Sequence, residues 1–178
     1  EASTANLFSR GDRVLLVSTG HFGLGWTLAL RAMGVKVDCL DFGRSPADFA
    51  RIEAALRADT AGEIRAVMTT HVDTASSVRT DVPALRAAMD RAGHPALLMV
   101  DCIASLGCDE YRMDDWGIDV TLAASQKGLM VPPGMGFLWF SEKARAAGRK
   151  ADLRTPYWDW GPRADGPDFW QHWHGTAP

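Results

Sequence analysis

Short apolar runs alternate with stretches of helical periodicity along the first 150 residues, and this alternation constrains the fold more than any other feature of the sequence. Strand-like runs cover residues 13–18, 35–42, 64–70, 96–101, 118–123 and 136–140, and helical patterns cover residues 24–33, 46–58, 81–92 and 143–147. Strands that alternate with helices form a mostly parallel sheet covered on both faces. The sequence therefore predicts a three-layer α/β/α fold, with its functional site in loops at the carboxyl ends of the strands.

Composition excludes several classes of partner and location. Lys and Arg number 19 against 22 Asp and Glu, and the resulting net charge of -3 offers no basic surface to nucleic acid. No apolar run approaches the roughly 20 residues that cross a bilayer, and residues 1–8 do not resemble a signal peptide. The three cysteines include no CxxC pair, so we expect no metal site, no disulfide framework and a cytoplasmic location.

The chain divides into one domain over residues 1–150 and an extension over residues 151–178 that is rich in aromatic side chains. An irregular segment cannot bury so much aromatic surface alone, so we expect the extension to pack on absent protein or on a second subunit. Glu1 stands where a helix is already under way and is not a Met. We therefore expect the chain to be a fragment.

A glycine-rich loop follows the first strand and opens a helix, as dinucleotide-binding loops do. Its residues Gly20, Gly23 and Gly25 give the pattern G-x-x-G-x-G, whereas the pyrophosphate-binding pattern is G-x-G-x-x-G. A nucleotide site and a simple tight turn with Phe22 in the core are both open interpretations of this loop.

A carboxylate and a lysine each follow a buried strand. Asp101 ends the most apolar strand, where a carboxylate is costly unless it meets a cation or a strong donor. Lys127 lies in the polar loop after the next strand, and both loops should open at the same edge of the sheet. A plain salt bridge would explain the pair. The other interpretation is pyridoxal phosphate chemistry, in which a lysine forms a Schiff base with the aldehyde and a carboxylate pairs with the pyridinium nitrogen.

Three ordered segments carry a family resemblance: residues 71–77 (HVDTASS), 100–107 (VDCIASLG) and 125–134 (SQKGLMVPPG). They resemble successive motifs of the class V pyridoxal-phosphate aminotransferases, in the branch of the alanine–glyoxylate, serine–glyoxylate and pyridoxamine–pyruvate enzymes. The resemblance extends over nearly the whole chain. It implies the large domain of a fold type I enzyme, with pyridoxal 5'-phosphate as its cofactor.

The resemblance also implies roles for individual residues. It makes Lys127 the catalytic Schiff-base lysine and Asp101 the partner of the ring nitrogen. Thr74 falls at a hydroxyl that bonds the phenolic oxygen of the ring, Phe22 at an aromatic that stacks on the ring, and Gln126 at a phosphate contact. An ordinary loop-capping threonine and a solvent-facing glutamine are the alternatives for the two polar residues.

Thr176 resembles a residue that reaches across a dimer to the cofactor phosphate of the partner subunit, and an intrachain turn is its alternative. The resemblance thus implies a homodimer. Family members are much longer than this chain, so the glycine-containing phosphate loop, the small C-terminal domain and its substrate-binding arginine are expected to lie outside it.

Other residues have less specific interpretations. Asp73 stands where the family often has Glu and Ser77 where Gly is common, which leaves the conformation of their loop open. His71 is interpreted as a hydrogen-bonded loop histidine rather than a general base, because Lys127 fills that role in the family. Trp26 is assigned to helix packing.

The implied activity is transfer of an amino group from a small donor, alanine or serine, to glyoxylate or pyruvate. A lyase or desulfurase of the same family is one alternative, and a non-catalytic nucleotide-binding module is another. Because parts of the site are expected outside the chain, we predict that these 178 residues alone bind pyridoxal phosphate weakly and transaminate poorly.

Overall fold

A computed structural model describes residues 1–164, in which a six-stranded sheet lies between two layers of helices. In chain order the strands are β1 (Arg13–Ser18), β2 (Lys36–Asp41), β3 (Ile64–Thr70), β4 (Val72–Asp73), β5 (Val78–Arg79), β6 (Leu97–Asp101), β7 (Val120–Ala124) and β8 (Gly136–Phe140). The helices are α1 (Ala2–Leu7), α2 (His21–Ala32), α3 (Phe49–Ala58), α4 (Val82–Ala92), α5 (Glu142–Gly148) and α6 (Gly161–Ala164).

The large sheet has the order β2-β1-β3-β6-β7-β8, and all of its pairings are parallel except that between β7 and β8. The predicted mostly parallel α/β sheet is therefore confirmed. The strand order reverses at β1, because β2 pairs with one edge of β1 and β3 pairs with the other edge. The carboxyl ends of β1 and β3 thus form the switch point at which open α/β sheets bind ligands.

The inner strands β1, β3 and β6 are largely apolar and buried because helices cover both faces of the sheet. On one face, α1, α2 and α5 pack through buried residues that include Leu7, Leu30 and Ala144. On the other face, α3 and α4 pack through residues such as Ile52 and Leu85. The helices leave the carboxyl edge of the sheet to the loops.

The prediction and the structure differ most at the first residues of the helices. The pattern over residues 24–33 predicts a later start than is found, since α2 begins at His21 with Gly20 as its N-cap. Most of the glycine-rich segment is therefore the first turns of a helix. By contrast α3 begins late, at Phe49, because Asp48 caps it and its side chain accepts hydrogen bonds from two N–H groups of the first turn.

The start of the predicted extension packs on the domain itself. Asn6 of α1 donates its Nδ2 to the carbonyl oxygen of Trp158 over 2.6 Å, and its Oδ1 accepts from the N–H of Trp160 over 3.1 Å. The Trp160 ring is buried and stacks on Phe140 with centroids 4.2 Å apart. Trp160 is thus buried within its own chain rather than at a second subunit. Residues 165–178, including Trp170 and Thr176, lie outside the described residues, so a dimer contact of that segment stays a prediction.

Within residues 1–164, no helix combines the length and apolar character needed to cross a membrane, and no three His, Cys, Asp or Glu side chains group as metal ligands. The cysteines Cys39, Cys102 and Cys108 are free. Cys102 is buried, and burial raises the pKa of its thiol to about 12.

Candidate active site

Four predicted site residues lie at the carboxyl edge of the sheet. Phe22 is in the first turn of α2, Thr74 follows β4, Asp101 ends β6 and Lys127 follows β7. They come from four separate connections of the chain. The parallel strands bring these connections to one edge, as the sequence predicts.

The Lys127 ammonium group lies between Thr74 and Phe22. Its Nζ donates to Oγ1 of Thr74 over 3.3 Å and lies 5.6 Å from the centroid of the Phe22 ring, within range of a cation–π contact. All three residues are exposed, Phe22 by 51%, so the interpretation of Phe22 as a core residue is wrong. Gln126, beside the lysine, is also exposed, and its phosphate contact stays a prediction.

Close backbone packing at Gly128 fixes the loop that carries Lys127. A Cβ atom at Gly128 would clash with the Leu106 carbonyl oxygen and would lie 2.6 Å from Sγ of Cys108. Gly107, on the opposite loop, has a φ of +81°, and its own Cβ would lie 3.0 Å from the carbonyl oxygen of Gly128. The loops after β6 and β7 therefore meet at two glycines that leave no room for side chains.

Hydrogen bonds close the base of the same loop. The N–H of Ser125 donates to the carbonyl oxygen of Met135 over 3.0 Å, and its hydroxyl donates to the carbonyl oxygen of Pro132 over 2.6 Å. Met130 donates its N–H to the Lys127 carbonyl oxygen over 2.9 Å and has a left-handed φ of 55°. The loop turns back immediately after the lysine as a result.

A buried carboxylate, that of Asp73, connects the segments that carry Phe22 and Thr74. Its Oδ2 accepts from the N–H of Gly23 over 2.8 Å, in the first turn of α2. Its Oδ1 accepts from the N–H of Ala75 over 3.0 Å, next to Thr74. The sequence identified Asp73 only as a departure from the family pattern, and the structure makes it the connection between two sides of the site.

The position of the Asp73 carboxylate argues against a nucleotide phosphate site at the start of α2. A pyrophosphate in a dinucleotide-binding fold takes the free N–H groups of a helix N-terminus. Here the N–H of Gly23 is bonded to Asp73, and a Cβ at Gly20 would lie 2.5 Å from the Asp73 carboxylate. Glycine at position 20 makes room for a side chain of the protein rather than for a phosphate.

Asp101 is 8% exposed, and both of its carboxylate oxygens accept a hydrogen bond. The Oδ1 atom accepts from the N–H of Ile103 and the Oδ2 atom from Nε1 of Trp26, each over 2.9 Å. Burial raises the pKa of the Asp101 carboxyl, and the Ile103 N–H, the Trp26 N–H and the Lys127 charge oppose that rise. Among residues 1–164, Lys127 forms no ion pair with Asp101, so the plain salt bridge is wrong.

Trp26 is the site-edge residue that the sequence interpretation missed. Its assignment to helix packing is incomplete, because its indole N–H donates to the buried Asp101 carboxylate. A signal was present: Trp26 lies four residues after Phe22, so both project from the same face of α2.

His71 is a hydrogen-bonded residue of the loop after β3, as predicted. Its Nδ1 lies 2.9 Å from Oγ of Ser105, and its ring contacts Tyr111 and Trp116 with centroid distances of 5.4 and 5.7 Å. Burial lowers the pKa of His71, which favours the neutral ring. Through these contacts the His71 side chain supports the loop.

The edge of the sheet thus presents an amine, a hydroxyl, an aromatic face and a buried carboxylate. These groups can bind an aldehyde, a phenolic oxygen, a planar ring and a cationic nitrogen respectively.

Comparison with known proteins gives matches along nearly the whole chain. The profile of the family described as aminotransferase class-V matches residues 2–154. The L-aspartate–glyoxylate aminotransferase of Paracoccus denitrificans is 41% identical over 162 residues, which are 89% of this chain and 40% of that protein. The serine–glyoxylate aminotransferase of Methylorubrum extorquens is 40% identical over 169 residues, which are 90% of this chain and 41% of that protein.

A solved structure supports the same family assignment. The crystal structure of an alanine–glyoxylate aminotransferase from Nostoc sp. superposes with a TM-score of 0.86 at 25% identity, over 99% of this chain and 46% of that one. The chain spans about 40% of the length of the two curated relatives. Since the family profile covers most of the chain and the motifs meet at one edge of the expected sheet, the chain belongs to the class-V aminotransferase family.

Proposed function

We propose that this chain is the cofactor-binding part of a pyridoxal-phosphate-dependent aminotransferase in which Lys127 binds the aldehyde of the cofactor. The observation that carries the proposal is the Lys127 amine 3.3 Å from the Thr74 hydroxyl, next to the Phe22 ring and at the edge where Asp101 is buried. Bound pyridoxal phosphate supplies an electron-accepting ring that stabilises the charge left when a bond to the substrate α-carbon breaks.

The residues present fit the chemical groups of pyridoxal phosphate. The primary amine of Lys127 suits the aldehyde, and the Thr74 hydroxyl, already hydrogen-bonded to that amine, suits the phenolic oxygen. The exposed Phe22 ring offers a flat apolar face. The buried Asp101 carboxylate suits a protonated ring nitrogen, and Gln126 is proposed as a phosphate contact.

The protein side of the reaction follows from these contacts. An amino substrate that takes the place of Lys127 would free the amine, which would then take the proton from the α-carbon of the amino donor and, in the second half of the transfer, deliver a proton to the α-carbon of the oxo-acid acceptor. The Thr74 hydroxyl keeps the amine near the reacting atoms. An ionised Asp101 favours the protonated ring nitrogen, and the pairing offsets the cost of burying that carboxylate.

We propose a small amino acid such as alanine or serine as the donor and glyoxylate or pyruvate as the acceptor. The names of the aminotransferase relatives support amino transfer over lyase or desulfurase chemistry. In this proposal residues 1–150 form the cofactor-binding domain, and the small domain with its substrate-binding arginine lies outside the chain. The enzyme would be a cytoplasmic homodimer in which Thr176 contacts the cofactor of the partner subunit.

Borohydride trapping tests the assignment of Lys127. The chain is mixed with pyridoxal phosphate, reduced and digested, and the peptide that carries the phosphopyridoxyl group is mapped. We expect the label on Lys127 and its loss in Lys127→Arg. Lys150→Arg, at an exposed lysine outside the site, is the matched control and should keep the label. A label on another residue, or undiminished labelling of Lys127→Arg, contradicts the proposal.

A further inference from the structure

We propose that Trp26 is a positioning residue for Asp101: its indole N–H holds the carboxylate in the orientation and charge state that receive the ring nitrogen of the cofactor. The inference rests on the proposed function, because it concerns the same carboxylate. It adds a residue of α2 that none of the three sequence motifs contains.

Two donors on two different oxygens fix the Asp101 side chain. Trp26 Nε1 lies 2.9 Å from Oδ2, and the Ile103 N–H lies 2.9 Å from Oδ1. The carboxylate cannot rotate about its Cβ–Cγ bond without breaking one of these bonds. Hydrogen bonds to an ionised carboxylate are stronger than bonds to the neutral acid, so both donors favour the charged form.

The packing of the indole explains why its N–H points at the carboxylate. Trp26 is half-buried and packs against the core on the α1–α2 face of the sheet. The ring also lines a groove of about 500 Å³, together with Ile103 and Leu122. Phenylalanine at this position would keep most of the packing and would lack the donor, so Trp26→Phe isolates the hydrogen bond.

The other groups around Asp101 do not replace this donor. Asp73 raises the pKa of Asp101, and Lys127 lowers it without contact. Burial, and to a lesser degree the Asp101 charge, raises the pKa of Cys102 and of Tyr111, so both remain neutral near pH 7. Loss of the indole donor should therefore raise the pKa of Asp101 further, by about one pH unit.

An NMR titration of the 178-residue chain without cofactor tests the contact directly. We expect the chemical shifts of the Asp101 carboxyl carbon and of the Trp26 indole N–H to change with pH at the same midpoint. This measurement needs no variant. Trp26→Phe should raise the Asp101 midpoint by about one pH unit. Trp139→Phe is the control, because that ring stacks on Phe137 of β8. Separate midpoints, or an unchanged Asp101 midpoint in Trp26→Phe, would overturn the inference.

Cofactor affinity provides the second readout, measured as the dissociation constant of pyridoxal phosphate. Trp26→Phe should weaken binding about tenfold. In an Asp101→Asn background it should have no further effect, because Trp26 acts through Asp101. Additive losses in the double variant would contradict this. Borohydride label absent from Lys127 in the unaltered chain would instead contradict the proposed function, so the two failures are distinguishable.

Discussion

The two loops that flank the Lys127 amine are held in place by different physical means. The loop over residues 71–80, which carries Thr74, is connected to α2 by the buried Asp73 carboxylate and its hydrogen bonds. Within residues 1–164, the loop over residues 125–135, which carries the lysine, has only hydrogen bonds of its own at its base, and it meets the neighbouring loop after β6 through close backbone packing at Gly128.

This difference matches what each loop must control. The lysine side chain is long and flexible, so the position of its amine depends on a backbone that cannot move. The Thr74 hydroxyl sits on a short side chain, and hydrogen bonds to its neighbours are sufficient to orient it. We therefore expect a side chain added at Gly128 to lower the free energy of unfolding more than the loss of one hydrogen bond to Asp73 does.

Gly128→Ala should have the largest effect. The added methyl group would clash with the Leu106 carbonyl oxygen, so we expect the free energy of unfolding to fall by about 3 kcal/mol and the borohydride label on Lys127 to be lost. Urea denaturation and peptide mapping measure both. Gly25→Ala is the control: its Cβ meets no atom within 4 Å on the exposed face of α2, so stability should rise by about 1 kcal/mol. Unchanged stability of Gly128→Ala would show that the two loops separate easily.

Asp73→Asn should have an intermediate effect. An amide has one acceptor oxygen, so either the Gly23 N–H or the Ala75 N–H would face an amide nitrogen, and we expect a loss of about 2 kcal/mol in urea denaturation. Asp48→Asn is the matched control, because asparagine caps a helix as well as aspartate does. Equal losses in the two variants would contradict a special role for Asp73.

Ser77→Gly should change the free energy of unfolding least, and it should raise this free energy rather than lower it. Ser77 has a left-handed φ of 60°, which glycine adopts without strain, so we expect thermal unfolding to show a gain of about 0.5 kcal/mol. Ser76→Gly is the comparison. It removes a hydroxyl that accepts from the Val78 N–H over 3.2 Å and should lower stability. A loss in Ser77→Gly would mean that the serine side chain itself supports the loop.

The order of the strands and helices could be predicted because apolar runs and helical periodicity are local properties of the chain. The convergence of Asp101 and Lys127 followed from their positions at the ends of neighbouring strands of one sheet. The place of Thr74 was implied by the family resemblance, because Thr74 follows β4, which pairs antiparallel with β5 outside the large sheet. The contacts of Trp26 and Asp73 could not be predicted in the same way, since they join residues 75 and 50 positions apart.

The start of α2 was predicted too late for a related reason. Glycines lower helix propensity, and no local pattern predicts that a distant carboxylate will bond the N–H of Gly23 in the first turn. Three-dimensional contacts therefore decided both the helix boundary and the parts of the site that the sequence interpretation missed.

Because β8 runs antiparallel to β7, the lysine loop is the end of a hairpin rather than a connection to a helix. Its tip, formed by Leu129, Met130 and Val131, is exposed, and the bond from Ser125 to Met135 closes the stem below it. The exposed side chains at the tip can therefore be exchanged for others while the two strands keep their register. A homologue could acquire a new surface beside the reactive amine without rebuilding the sheet that supports it.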